Sequence, residues 1–149
     1  MRRVEAEALV GASRDEVWEL YDDIAGLPRW LPPADRVVYV SGPAGVGAVY
    51  RVRTRGGGIG ATEQGEIVAH RHPVRQVHVS AGTLLRRTRT ITFEARGTGT
   101  WVHESVELSS SLWGPLGWVH EALATFPAGS IMRTTVAAAK RVFEGEPPH

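Results

Sequence analysis

Cysteine is missing from this 149-residue chain, which removes disulfide frameworks, thiolate metal sites and cysteine nucleophiles at once. Lysine is nearly missing too: Lys140 is the exception among seventeen basic residues, the rest being Arg. The formal net charge is only +1. Where arginines align, as Arg51, Arg53 and Arg55 do on one strand face, Val52 and Thr54 occupy the other, the pattern of a solvated sheet rather than a phosphate-binding stripe. Nucleic acid is therefore not an expected partner. Nor is a membrane, since no apolar run approaches the roughly 20 residues a span needs. Glu5 and Glu7 also interrupt the stretch where a signal peptide would be continuously apolar. We expect a soluble, cytoplasmic protein.

The remaining composition is 42% hydrophobic, enough for one buried core with little room for a second. We read residues 1–145 as a single domain and 146–149 as a frayed tail. Ser13 can accept from the first-turn N–H groups, and Glu16 three residues later completes a capping box. Val17, Leu20, Tyr21 and Ile24 then recur at helical spacing. Past Gly26 the helix must stop, because Pro28, Pro32 and Pro33 lack N–H donors and restrict the residues before them.

Downstream the period changes to two. Together with Arg3–Val10, the segments Val37–Ser41, Ala48–Arg55, Ala61–His70, Gln76–Ser80, Arg86–Arg96 and Trp101–Ser109 predict seven strands. They are parted by Gly42–Gly45, Gly56–Gly58, His72-Pro73 and Gly97–Gly99. Such short connections imply an antiparallel meander. The triple glycine lacks a following Lys-Ser/Thr and sits between strands, so it reads as a hairpin rather than a phosphate loop. After Leu116–Phe126, a short helical stretch broken at Pro127 and Gly129, Ser130–Glu144 reads as a longer helix with Ile131, Met132, Thr135, Val136 and Ala139 on one side. A sheet with one apolar face needs a cover, and this last helix is the element long enough to provide it.

The order of elements, together with three motifs, resembles a START/SRPBCC (Bet v 1-like, helix-grip) domain, and within that group the bacterial polyketide cyclases and aromatase/cyclases. The motifs are Val17-Trp18-Glu19-Leu20 with Asp22-Asp23-Ile24, Leu27-Pro28 and Trp30; Ala69-His70-Arg71-His72-Pro73; and Gly97–Leu108, GTGTWVHESVEL. The resemblance implies an α+β helix-grip fold, a curved seven-stranded antiparallel sheet wrapped around a long C-terminal helix. It also implies a cofactor-independent enzyme promoting aldol cyclisation or dehydration of a hydrophobic polyketide-like molecule, with an acyl carrier protein as the partner that delivers it. Monomer and homodimer are both compatible.

Alternation assigns the faces. Arg71 shares one with Ile67 and Ala69, Arg87 and Arg89 with Ile91 and Phe93, and Glu104 with Val102, Val106 and Leu108. If apolar faces look inward, Arg71, Arg89 and Glu104 reach the cavity with Tyr50 and Val52, while His78 and His103 point out. Ile67, Ile91, Phe93, Met132, Thr135 and Val136 would line that cavity, with Leu27, Trp30 and Leu31 as its gate. Arg71 is the expected enolate-binding group, because an Arg stays charged and offers several donors. Glu104 is the expected acid/base and Arg89 its companion. Aromatic-forming members of the family commonly add a cavity tyrosine shortly after the first helix. Leu31–Asp35 has none, so either Tyr50 substitutes for it or the reaction is a different cyclisation or dehydration.

His70 and His72 read as turn residues rather than metal ligands, Ser109–Ser111 as a loop, and Trp113 and Trp118 as packing. Two other classes predict different interiors. A non-catalytic carrier of a lipid-like ligand would have an apolar cavity with one polar anchor, and a partner-binding shell would have a filled core.

Overall fold

Ser13 caps α1 (Arg14–Asp22): its side chain accepts from the Glu16 N–H at 3.3 Å while its hydroxyl meets the Glu16 carboxylate at 3.0 Å. Asp23 ends α1 and starts a 3₁₀ turn, Ile24–Arg29, by accepting from the Gly26 N–H at 3.2 Å. The computed structural model describes residues 2–31, 34–41, 45–54, 62–81 and 84–144. The expected turns at 42–44 and 56–58, the Pro32–Pro33 pair and the tail 146–149 lie outside them.

Seven strands form one antiparallel sheet: β1 (Arg2–Val10), β2 (Ala34–Ser41), β3 (Val49–Thr54), β4 (Thr62–Arg71), β5 (Arg75–Ala81), β6 (Leu85–Arg96) and β7 (Gly99–Ser110). Their order is β1-β7-β6-β5-β4-β3-β2, a meander from β2 to β7 with β1 closing on β7. Gly97 supplies the positive φ, 60°, needed in the tight β6–β7 turn. The curved sheet and the long C-terminal helix α2 make the helix-grip fold. Packing of α2 runs mainly along β1 and β7, where Ala6, Val106 and Leu108 meet Met132 and Val136. A second cluster, Val17, Trp18, Tyr21, Phe93 and Val102, fixes α1 across the sheet.

Two expectations about this end of the chain are corrected. First, α2 is a single helix, Pro115–Glu144, that runs through Pro127. The lost N–H leaves the Leu123 carbonyl without its usual helical partner, a cost of roughly 3 kcal/mol that the long packed face of α2 offsets. Second, Trp113 is 86% exposed and Trp118 64% exposed, so neither is packing. Trp118 carries the Arg2 guanidinium 4.7 Å above its ring. Among the described residues no helix is long and apolar enough to cross a membrane.

Candidate functional site

Directly paired residues share a face, so the inward side chains can be followed across the sheet in rows. One row is Tyr50–Gly65–Ser80–Arg87–Leu108, the next Ile67–His78–Arg89–Val106, and the third His70–Gln76–Ile91–Glu104. Between these rows, the 3₁₀ turn and the middle of α2 lies a cavity of about 200 Å³. Its wall is mostly apolar, with Leu27, Leu31, Ile91 and Met132 among its residues; an Arg87–Glu63 ion pair at 2.8 Å and two larger polar clusters break it.

The first cluster centres on Glu104, which is fully buried. Its Oε1 accepts from Arg89 Nε at 2.7 Å and lies 2.5 Å from an Arg89 terminal nitrogen; its Oε2 accepts from the Tyr21 hydroxyl at 3.1 Å. Burial works against the Arg89 charge, but Glu104 outweighs it and raises the guanidinium's pKa. Burial and then Glu104 push the Tyr21 phenol well above its ordinary value, so Tyr21 stays a donor. The second cluster is a line of contacts: Tyr50 to His78 Nδ1 at 2.7 Å, His78 Nε2 to Gln76 Oε1 at 2.9 Å, Gln76 Nε2 to Asp22 Oδ1 at 3.5 Å, and His70 Nε2 to the same oxygen at 2.7 Å. Burial, then Arg89 and His70, lower the His78 pKa to about 3.

Of the expected site residues, Arg89, Glu104, Tyr50, Leu27, Leu31, Ile91, Met132 and Thr135 do line the cavity. Arg89 and Glu104 pair with each other while Arg89 also faces the cavity. Arg71 does not reach it. A β-bulge in β4 sets Ile67 opposite His78 but Ala69 opposite Val77, leaving Val68 as an extra residue. That extra residue turns Ala69 and Arg71 outward and His70 inward; Arg71 is exposed, paired in register with Arg75. Ile67, Phe93 and Val136 are buried in core clusters behind the cavity wall, and Trp30 packs edge-on against Tyr21. The expected outward position of His78 is likewise corrected. On β5 the polar face looks inward, because Gln76 and His78 find partners on β3 and α1.

The sequence places Tyr21 only at helical spacing on α1, and His78, Ser80 and Gly65 are not among its expected cavity residues, yet all four line the cavity. Gly65 had a legible signal, a glycine inside a strand pattern, which marks close approach of another group. A Cβ on Gly65 would lie 2.6 Å from both Cζ and the hydroxyl of Tyr50. Gly65→Ala should therefore push the Tyr50 ring off His78 and destabilise the fold by about 1–3 kcal/mol. Urea unfolding checks the stability, and tyrosine ring resonances that stay unmoved would contradict the displacement.

Residues 1–144 match the family model described as "Polyketide cyclase / dehydrase and lipid transport". No sequence among curated proteins matches the chain. Several solved structures are similar in fold. A START superfamily protein from Mycobacterium smegmatis superposes with TM-score 0.75 at 12% identity, over 95% of this chain and 97% of that one. The Zhui aromatase/cyclase from Streptomyces sp. R1128 does so with TM-score 0.75 at 18% identity, over 96% and 93%. Norcoclaurine synthase from Thalictrum flavum, solved with dopamine and hydroxybenzaldehyde, gives TM-score 0.70 at 18% identity, over 99% and 89%.

Proposed function

Because the chain belongs to the polyketide cyclase/dehydrase and lipid transport family, we propose that it is a cofactor-independent enzyme. Its cavity would fold a reactive polyketide-type chain and promote aldol cyclisation, dehydration or both. One observation supports catalysis over passive carriage: the Glu104 and His78 clusters and the Arg87–Glu63 ion pair all stand on a mostly apolar wall, where a carrier needs one polar anchor.

In the aldol step a methylene between carbonyls releases a proton, its carbon bonds to a carbonyl carbon further along, and that carbonyl oxygen takes up a proton. Dehydration then removes an α-proton and the new hydroxyl as water. The substrate supplies most of this reactivity itself, leaving the protein to hold the bent chain and stabilise oxygen charge. Arg89 takes that second role in place of Arg71, aimed by the carboxylate beneath it. Glu104 fixes the guanidinium through Oε1 and exchanges protons through Oε2, the oxygen it shares with Tyr21. The volume of about 200 Å³ exceeds the roughly 150 Å³ that holds benzene, so a single substituted ring fits and a longer chain extends into the mouth. Delivery on an acyl carrier protein suits such an arrangement.

The test is turnover of a short β-polyketo thioester, read as loss of water by mass spectrometry. Arg89→Lys keeps the ion pair but loses the planar fork, and should slow the reaction by about 10²-fold. A native protein that binds the thioester and returns it at the uncatalysed rate is a carrier, and the proposal fails.

A further inference from the structure

Building on that reading of the cavity, the geometry points to a recognition line, Asp22–Gln76–His78–Tyr50, that presents the Tyr50 oxygen to a ligand as an acceptor only. The ligand it selects carries a hydroxyl or enol O–H alongside its carbonyl.

Direction enters the line at Asp22. Its Oδ1 accepts from His70 Nε2 at 2.7 Å, and a carboxylate has no proton to give. The Gln76 side chain, 0% exposed, therefore turns its NH₂ toward Asp22 and its carbonyl oxygen toward His78. That oxygen can only accept, so the ring proton of His78 sits on Nε2. A neutral imidazole so arranged has a bare Nδ1, and the Tyr50 hydroxyl must donate to it across 2.7 Å. Whatever else the phenolic oxygen meets, it meets as an acceptor.

The opposite polarity stands beside it. Arg89 is the cross-strand neighbour of His78, and Arg87 that of Ser80; both guanidiniums carry donors only, Arg89 held by Glu104 and Arg87 by Glu63 at 2.8 Å, with further N–H groups left for a ligand. A carbonyl oxygen belongs with the arginines and an O–H with Tyr50, so the wall distinguishes a hydroxy-carbonyl compound from a diketone or a methylated analogue. The line recognises rather than deprotonates. His78 is buried beside the Arg89 guanidinium, resists taking a second proton until about pH 3, and so leaves the Tyr50 proton on the phenol. Tyr50 is the contact to ligand, and Gln76 and Asp22 are positioning residues that act through His78.

Two measurements on the whole protein test this. Long-range proton–nitrogen correlation of ¹⁵N-histidine-labelled protein should show His78 as the Nε2–H tautomer at neutral pH, and Gln76→Leu should abolish that preference while the fold persists. An Nδ1–H tautomer in the native protein overturns the proposal. Calorimetry with 2-naphthol and 2-methoxynaphthalene should show the naphthol binding about 10-fold tighter, the worth of one hydrogen bond, with the difference lost in Tyr50→Phe. Equal affinities in the native protein also overturn it. If neither probe enters, the cavity reading has failed, and the tautomer still decides the direction of the line.

Discussion

Glu104→Leu is expected to destabilise the protein by about 3–5 kcal/mol, the usual cost of removing one partner of a buried ion pair. Two groups lose their acceptor at once: Arg89, bound through two nitrogens, and Tyr21, whose hydroxyl points at Oε2. The Arg89 side chain is 29% exposed, so part of its charge can move toward the mouth, which places the expectation near the lower end of that range. Adding Arg89→Leu should recover most of the loss, because an apolar pair of similar volume need not be less stable than the ion pair it replaces. Urea unfolding of the two single variants and the double variant forms the cycle. A single-variant cost under about 1 kcal/mol would mean the pair behaves as a surface salt bridge. Glu104→Gln, which keeps an acceptor for Tyr21, should fall between native and Leu.

His78 should make the fold acid-sensitive in a defined window. In the unfolded chain the imidazole takes its proton near pH 6.5; in the fold, burial first and then Arg89 and His70 hold it neutral down to about pH 3. Between those values the unfolded chain binds the extra proton. Stability from this group is therefore complete above the unfolded pKa and declines as pH falls, by about 1.4 kcal/mol per pH unit. Over two units below the upper limit that amounts to about 3 kcal/mol. Carboxylates contribute in the same direction, so the informative quantity is the difference from His78→Gln, which does not titrate. Its stability–pH curve should be shallower by about one proton's slope, and parallel curves would contradict the assignment.

The elements were legible because their signals are local. Alternation and turn residues located all seven strands, and Ser13 with Glu16 located the start of α1. The site was legible where alternation held: β6 and β7 run without a bulge, and Arg89, Ile91 and Glu104 face the cavity as expected. It failed where facing depends on a partner strand. The β4 bulge exists only in its pairing with β5, and nothing within Glu66–Arg71 announces it. His78 was misplaced for a related reason. Its apolar neighbours Val77 and Val79 imply an inward apolar face, whereas the partners that draw the polar face in, Tyr50 and Asp22, lie far away in sequence. Pro127 read as a break because a proline inside a helix carries a local cost, and the packing of α2 along β1 and β7 that overrides it is tertiary.

The extra residue at Val68 gives the β4 wall an unusual relation to mutation. Substitutions in Ala69–Arg71 change what a side chain is, but opening or closing the bulge changes which side chains are inside at all. Pairing Val68 in the ladder, with every residue kept, would set Ala69 opposite Gln76 and turn Ala69 and Arg71 inward and His70 outward, taking His70 off the Asp22 line; removing Val68 would instead leave His70 opposite Gln76. The chemistry of such a wall can diverge by register rather than by replacement. Two proteins could then keep the same His-Arg-His-Pro string and place different members of it against their ligands.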